Sequence, residues 1–139
     1  ALPHAVGNSF AEMVLAHEDD FEFVIAHPEG YELDPNKTKG AQIEYDQKKA
    51  FKGADFIYTK NWSSYKDYGK VACEDSSWTI TAAKMALTDR AKFMHCLPVR
   101  RNVVVADEVL DSDTSIVIEQ ANNRTFSAQI VLKKIMENM

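Results

Sequence analysis

The sequence predicts an α/β protein, doubly wound, with a mostly parallel sheet flanked by helices. Three observations lead there. Four short apolar runs, at 21–26, 55–59, 91–97 and 115–118, alternate with helical segments, the order that generates right-handed βαβ units and a parallel sheet. Each run ends in a polar cluster, as expected where parallel strands expose a binding edge. Near the end of the chain, Ala128, Val131, Leu132, Ile135 and Met136 recur at i, i+3, i+4, i+7 and i+8, the signature of an amphipathic helix.

Taken in order, Ser9-Phe10-Ala11-Glu12 has the form of a capping box. Phe10, Met13, Val14 and His17 then share one face, which predicts a helix over 9–17. Phe21 to Ala26 is the first strand, ended by His27-Pro28-Glu29-Gly30, and Asp34-Pro35-Asn36 is a turn. Residues 44–52 read as a polar helix with Ile43, Ala50 and Phe51 inward, closed by Gly53 just past its end. Asp55 to Thr59 is the second strand. It ends in Lys60-Asn61-Trp62-Ser63-Ser64-Tyr65 and is followed by a loop of about a dozen residues, long enough to suggest a working loop. A short helix at 82–87 precedes the third strand, 91–97, which stops at Pro98 because proline cannot donate to a sheet ladder. A helical turn at 106–110 leads to the fourth strand, 115–118, whose exit is Glu119 through Arg124.

Composition narrows the function. The 139 residues, 45% of them hydrophobic, supply one core and one domain. A net charge of -5 with no basic stripe argues against nucleic acid as a partner. No segment approaches the roughly 20 apolar residues of a membrane span. Cys73 and Cys96 lack metal-type spacing and cannot form a disulfide framework, which fits a reducing, cytoplasmic setting. The opening Ala1-Leu2-Pro3-His4, without an initiator Met, reads as the middle of a longer protein.

If the strands are parallel, their polar exits share one edge of the sheet, and that edge gathers Lys60, Arg100, Arg101 and Arg124. Cations concentrated there in an acidic chain favour an anionic ligand, carboxylate or phosphate; the plain alternative is solvated loop charge with no shared ligand. Five glycines include no Gly-x-Gly-x-x-Gly and no phosphate-binding P-loop, so no dinucleotide or other cofactor is expected. His4, His17, His27 and His95 have no metal-ligand spacing, and no metal is expected. Cys96 as a nucleophile would need a base, but adjacent His95 points to the opposite face of a strand. Position alone leaves Lys60 as either a carboxylate-binding cation or a surface lysine, and Trp62 as either a pocket wall or a loop anchor. His27 is read as structural, bonding backbone at its strand end.

At His95-Cys96-Leu97-Pro98, followed by Val99-Arg100-Arg101-Asn102 and by Asp111-Ser112, the chain resembles the ornithine/aspartate carbamoyltransferase family. The tail from Ser115 to Arg124 resembles that family's following strand and its Asn-Arg ending. The resemblance covers nearly the whole chain. It implies a Rossmann-like, carboxyl-terminal, amino-acid-binding domain lacking its first strand, with the amino-terminal carbamoyl-phosphate domain absent. Ordinary ornithine enzymes carry an Asp that meets the α-amino group where this chain has Lys60. A cation suits an ornithine whose α-amino group is acylated, so the loop looks like the N-acylornithine branch. His27 to Pro35 and Ala54 to Tyr58 look most like the succinyl-specific members. The acetyl-specific members resembling this group carry a carboxylated lysine where this chain has Val104.

The resemblance implies transfer of a carbamoyl group from carbamoyl phosphate to the δ-amine of an N-acylornithine, succinyl favoured over acetyl, in arginine biosynthesis. It implies that Cys96 and Leu97 line the reaction centre and adjoin carbamoyl phosphate, with the Leu97 carbonyl orienting the δ-amine. Arg124 would bind carbamoyl phosphate, while Lys60 and Arg100 hold the acylornithine. It also implies a homotrimer with shared sites, and a fragment that is inert alone. An ordinary ornithine carbamoyltransferase is the near alternative. A non-catalytic α/β module binding an anionic metabolite is the distant one.

Overall fold

The computed structural model describes residues 5–61 and 76–139. Its elements are α1 (Ala5–Leu15), β1 (Val24–Ala26), β2 (Gln42–Glu44), α2 (Gln47–Phe51), β3 (Phe56–Thr59), α3 (Ala82–Met85), β4 (Lys92–His95), α4 (Asp107–Leu110) and α5 (Val117–Glu137), with a 3-10 turn at Ser76–Trp78. All described strand pairing is parallel, as predicted. It forms two two-stranded sheets, β1 with β2 and β3 with β4.

The core gathers on β4. Phe93 is fully buried among Phe51, Ile80, Val105, Val109, Leu110 and Val117. Its backbone is held from the other side as well: its N–H donates to Thr114 O at 2.9 Å and its carbonyl accepts from Ile116 N at 2.9 Å. Ile57, Met85, Leu97 and Val99 pack around this cluster. β4 is thereby fixed in place by the layer that carries α3, α4 and the start of α5.

Several expectations change. Residues 115–118 are not a strand. Ser115 makes one isolated bridge to Phe93, and Val117 already begins α5. A three-residue β-branched run, Ile116 to Ile118, is ambiguous by itself; here Val117 enters the core from a helical backbone, and the helix-forming Glu119-Gln120-Ala121 continues it. A short strand that was not expected precedes the expected helix, which starts later than 44. Gln42–Glu44 pairs with β1, and α2 starts only after Asp46, whose carboxylate accepts from the N–H groups of Lys48 (2.9 Å) and Lys49 (3.4 Å). Helix α1 begins by Ala5, so Ser9 lies inside it and is not a cap; Glu12 instead pairs with Lys37 at 2.5 Å. Ala11 and Val14 form the buried face of α1, while Met13 and His17 are exposed.

Other expectations hold. Gly53 follows α2 with φ +74, the left-handed backbone expected there. His27 donates from Nδ1 to Pro28 O at 2.8 Å. Past Gln120, α5 is exposed along its length, with Phe126, Ile130, Val131, Leu132, Ile135 and Met136 between 55% and 67% accessible. No described helix is long and apolar enough to cross a membrane.

Candidate active site at the exits of β3 and β4

Parallel pairing in register sets Thr59 beside His95, so both strands leave the sheet at the same edge. Lys60 and Asn61 follow on one strand, Cys96, Leu97 and Pro98 on the other. Asn61 ties the exits together by donating from Nδ2 to Pro98 O at 3.0 Å. Lys60 is half-buried and forms no ion pair among the described residues.

Leu97 has a left-handed backbone, φ +48, and its peptide bond to Pro98 is cis. Its side chain packs on the core cluster, and its N–H donates to His95 Nδ1 at 2.9 Å. Among the described residues its carbonyl accepts no hydrogen bond. That leaves a fixed acceptor, unused among the described residues, at the edge where Lys60 also leaves the sheet. His95 itself is fully buried. Burial first, and the charge of Lys60 second, lower its pKa to about 4, so the ring is neutral near pH 7.

Cys96 is half-buried and lies close to the Tyr58 hydroxyl, with the Gln120 side chain nearby. Burial, followed by the neighbouring thiol, pushes the Tyr58 pKa up to about 12. Among the described residues there is no Cys-His dyad: the Nδ1 of His95 accepts from the Leu97 N–H, and its Nε2 is buried without a partner. Cys96 therefore has no paired base among the described residues and stands as a half-buried thiol at the exit of β4.

The basic edge is smaller than the sequence suggested. Arg101 bonds both oxygens of Asp111 and one of Asp107, each at 2.7 Å. Those carboxylates sit below the usual range and the guanidinium above its own, so Arg101 is committed within the chain. Arg100 is exposed and forms no ion pair among the described residues. Arg124 is not at a strand exit, because it lies in α5. It stands one turn beyond Gln120 on the same helix face, and Gln120 touches Tyr58. Val104, fully buried, leaves no ionisable group at that position. Trp62 and Cys73, with most of the expected working loop, lie outside the described residues.

Sequence reasoning placed Asn61 and Gln120 in the polar exits without giving them a role, and it did not single out Tyr58 as part of this edge. Tyr58 stands two residues before Lys60 on β3, and Gln120 comes from α5 rather than from a strand exit. A cleft of about 1060 Å³ opens beside the exits, lined by Lys60, Asn61, Tyr58 and His27 together with residues of β1 and β3.

Comparison with known proteins gives this edge its context. Residues 5–135 match the family model for the Asp/Orn binding domain of aspartate/ornithine carbamoyltransferase. The chain belongs to this family. The N-succinylornithine carbamoyltransferases of Bacteroides fragilis and Bacteroides thetaiotaomicron are 56% and 54% identical to it, over 99% of this chain and 43% of their own length. The chain thus spans less than half of these relatives. An N-acetylornithine carbamoyltransferase of Xylella fastidiosa is 42% identical over 60% of the chain. Among solved structures, acetylornithine transcarbamylase complexed with acetylcitrulline superposes with TM-score 0.75 at 32% identity. It covers 88% of this chain, which spans 42% of that one. A mutant N-acetyl-L-ornithine transcarbamylase complexed with carbamyl phosphate and N-succinyl-L-norvaline matches with TM-score 0.73 at 33% identity. Parallel strands flanked by helices agree with the predicted α/β class.

Proposed function

We propose that the chain is the amino-acid-binding part of a carbamoyltransferase that transfers the carbamoyl group of carbamoyl phosphate to the δ-amine of an N-acylornithine, with succinyl favoured over acetyl. The observation that carries this reading is the β3–β4 edge, where the half-buried cation Lys60 and a fixed Leu97 leave the sheet together, the first with no ion pair and the second with no hydrogen bond to its carbonyl among the described residues. The identity to N-succinylornithine enzymes along nearly the whole chain supports the acyl group.

In this reading Lys60 holds the α-carboxylate of the substrate. Arg100, free of any internal carboxylate among the described residues, meets the carboxylate of the succinyl group. The Leu97 carbonyl accepts a hydrogen bond from the δ-amine and aims its lone pair, while Cys96 walls the pocket. Arg124 binds carbamoyl phosphate from the first turns of α5. The neutral amine attacks the carbamoyl carbon, forming the C–N bond as the C–O bond to phosphate breaks, and the amine loses a proton as phosphate leaves. The protein contributes orientation and stabilisation of the oxyanion, with no covalent or metal step.

We further propose that the domain is completed by a strand outside these 139 residues. Among the described residues β1 and β3 each pair on one side only, and both line the same cleft, which suits an inserted parallel strand. The amino-terminal carbamoyl-phosphate domain, a cytoplasmic homotrimer and a place in arginine biosynthesis belong to the same reading. The test is direct: full-length protein given carbamoyl phosphate and N-succinyl-L-ornithine is expected to release phosphate and form the ureido product, and the 139-residue chain alone is expected to be inert. Turnover by the isolated chain, or transfer only to free ornithine, contradicts the proposal.

A further inference from the structure

We propose that His95 is a positioning residue for the transfer, acting as a tautomer-locked latch on the backbone of Leu97; the functional part of this inference rests on the reading above. The ring is fully buried, yet it is not kept for packing alone, because Phe or Leu would fill the same space without burying polar atoms. Its Nε2 has no partner among the described residues, so what retains the polar ring lies at the other nitrogen. Nδ1 accepts the Leu97 N–H at 2.9 Å across two residues. An accepting Nδ1 in a neutral imidazole requires the proton on Nε2, so one tautomer is selected.

The residue being held is strained. Leu97 is a non-glycine residue with φ +48, a conformation that persists only when its surroundings over-determine it. Two contacts do so: the side chain anchored on the core and the N–H anchored on His95. Between those anchors the free carbonyl has one direction to face. Burial and the nearby Lys60 keep the ring neutral, so the acceptor is present at any pH at which the amine substrate is partly unprotonated. His95 never touches the reacting atoms; it acts through Leu97.

Two amide substitutions separate the latch from a space-filling role, since the Oδ1 of Asn takes the place of Nδ1 and the amide of Gln reaches the place of Nε2. In the full-length enzyme His95→Asn should keep kcat near wild type. His95→Gln should lower kcat by roughly 100-fold, the scale of a misplaced positioning group, with KM for carbamoyl phosphate unchanged. Hydrogen exchange of the peptide containing Leu97 should remain slow in wild type and His95→Asn and become fast in His95→Gln. Equal losses in both variants, or Leu97 exchange that does not follow the Asn/Gln order, overturn the latch. Should His95→Asn fail to fold, ring-nitrogen NMR of the wild type decides instead: a protonated Nδ1 overturns the proposal, and an unprotonated Nδ1 with protonated Nε2 sustains it. A wild-type enzyme that does not carbamoylate acylornithine would sink the functional reading while leaving the exchange and tautomer readouts to judge the latch.

Discussion

Replacing Lys60 by Met in the full-length enzyme removes the one cation that follows β3 directly. Its side chain is half-buried at the exit, has no acidic partner among the described residues, and lies close enough to His95 to lower that ring's pKa. A unit charge paired with a carboxylate at about 4 Å in a partly buried setting is worth roughly 4 kcal/mol of Coulomb attraction before desolvation. Net of desolvation, a hydrogen bond to a charged group contributes about 1.5–3 kcal/mol. At 1.4 kcal/mol per tenfold, that predicts a rise of roughly 10- to 150-fold in KM for the acylornithine. Lys60→Asp should be worse, because it replaces attraction by repulsion. Initial rates with acylornithine varied at saturating carbamoyl phosphate measure the effect, and Lys39→Met, an exposed lysine on a turn away from the edge, is the control. A Lys60→Met enzyme whose acylornithine KM stays within about threefold of wild type would refute the assignment, since a charge-assisted contact is not lost so cheaply.

Three further outcomes follow from the fold. Phe93→Ala empties the centre of the core and should destabilise the full-length protein by about 3–5 kcal/mol in chemical denaturation; a cost below about 1 kcal/mol would mean that the core is not centred on β4. Gly53→Ala meets open space, so its cost is the left-handed backbone alone, roughly 1–2 kcal/mol. His95 has a folded pKa of about 4 against an ordinary 6.5, so its neutral form favours the folded state. Its contribution is fully present above pH 6.5 and is lost as pH falls toward 4, at no more than about 1.4 kcal/mol per pH unit. The difference in stability between wild type and His95→Gln should therefore shrink across that window, whereas a constant difference would show that His95 titrates normally.

Much of the fold was legible because its signals were local. Phe56–Thr59 and Lys92–His95 are compact apolar runs with a clear stop, and α4 follows its Asp107-Glu108 start. The misreadings arise where local preference competes with packing. Ile116-Val117-Ile118 has strand-like composition, yet one bridge at Ser115 ends the pairing and Val117 reaches the core from a helix. Gln42–Glu44 is too short and polar to announce a strand, and the helix read from 44 begins only after Asp46. At the site, the strand exits gave Lys60, Cys96 and Leu97 their places. The sequence could not show that Arg101 is captured by Asp107 and Asp111, nor that the His95 ring turns back to the Leu97 amide. Both depend on loop geometry that no periodicity encodes.

The most direct test of the central claim is calorimetry on full-length protein saturated with carbamoyl phosphate, using norvaline ligands that lack the reacting amine. N-succinyl-L-norvaline is predicted to bind at least about tenfold more tightly than N-acetyl-L-norvaline, the scale of one added charge-assisted contact at Arg100, and free norvaline is predicted to bind weakest. Tighter binding of free norvaline than of either acylated ligand would contradict the account.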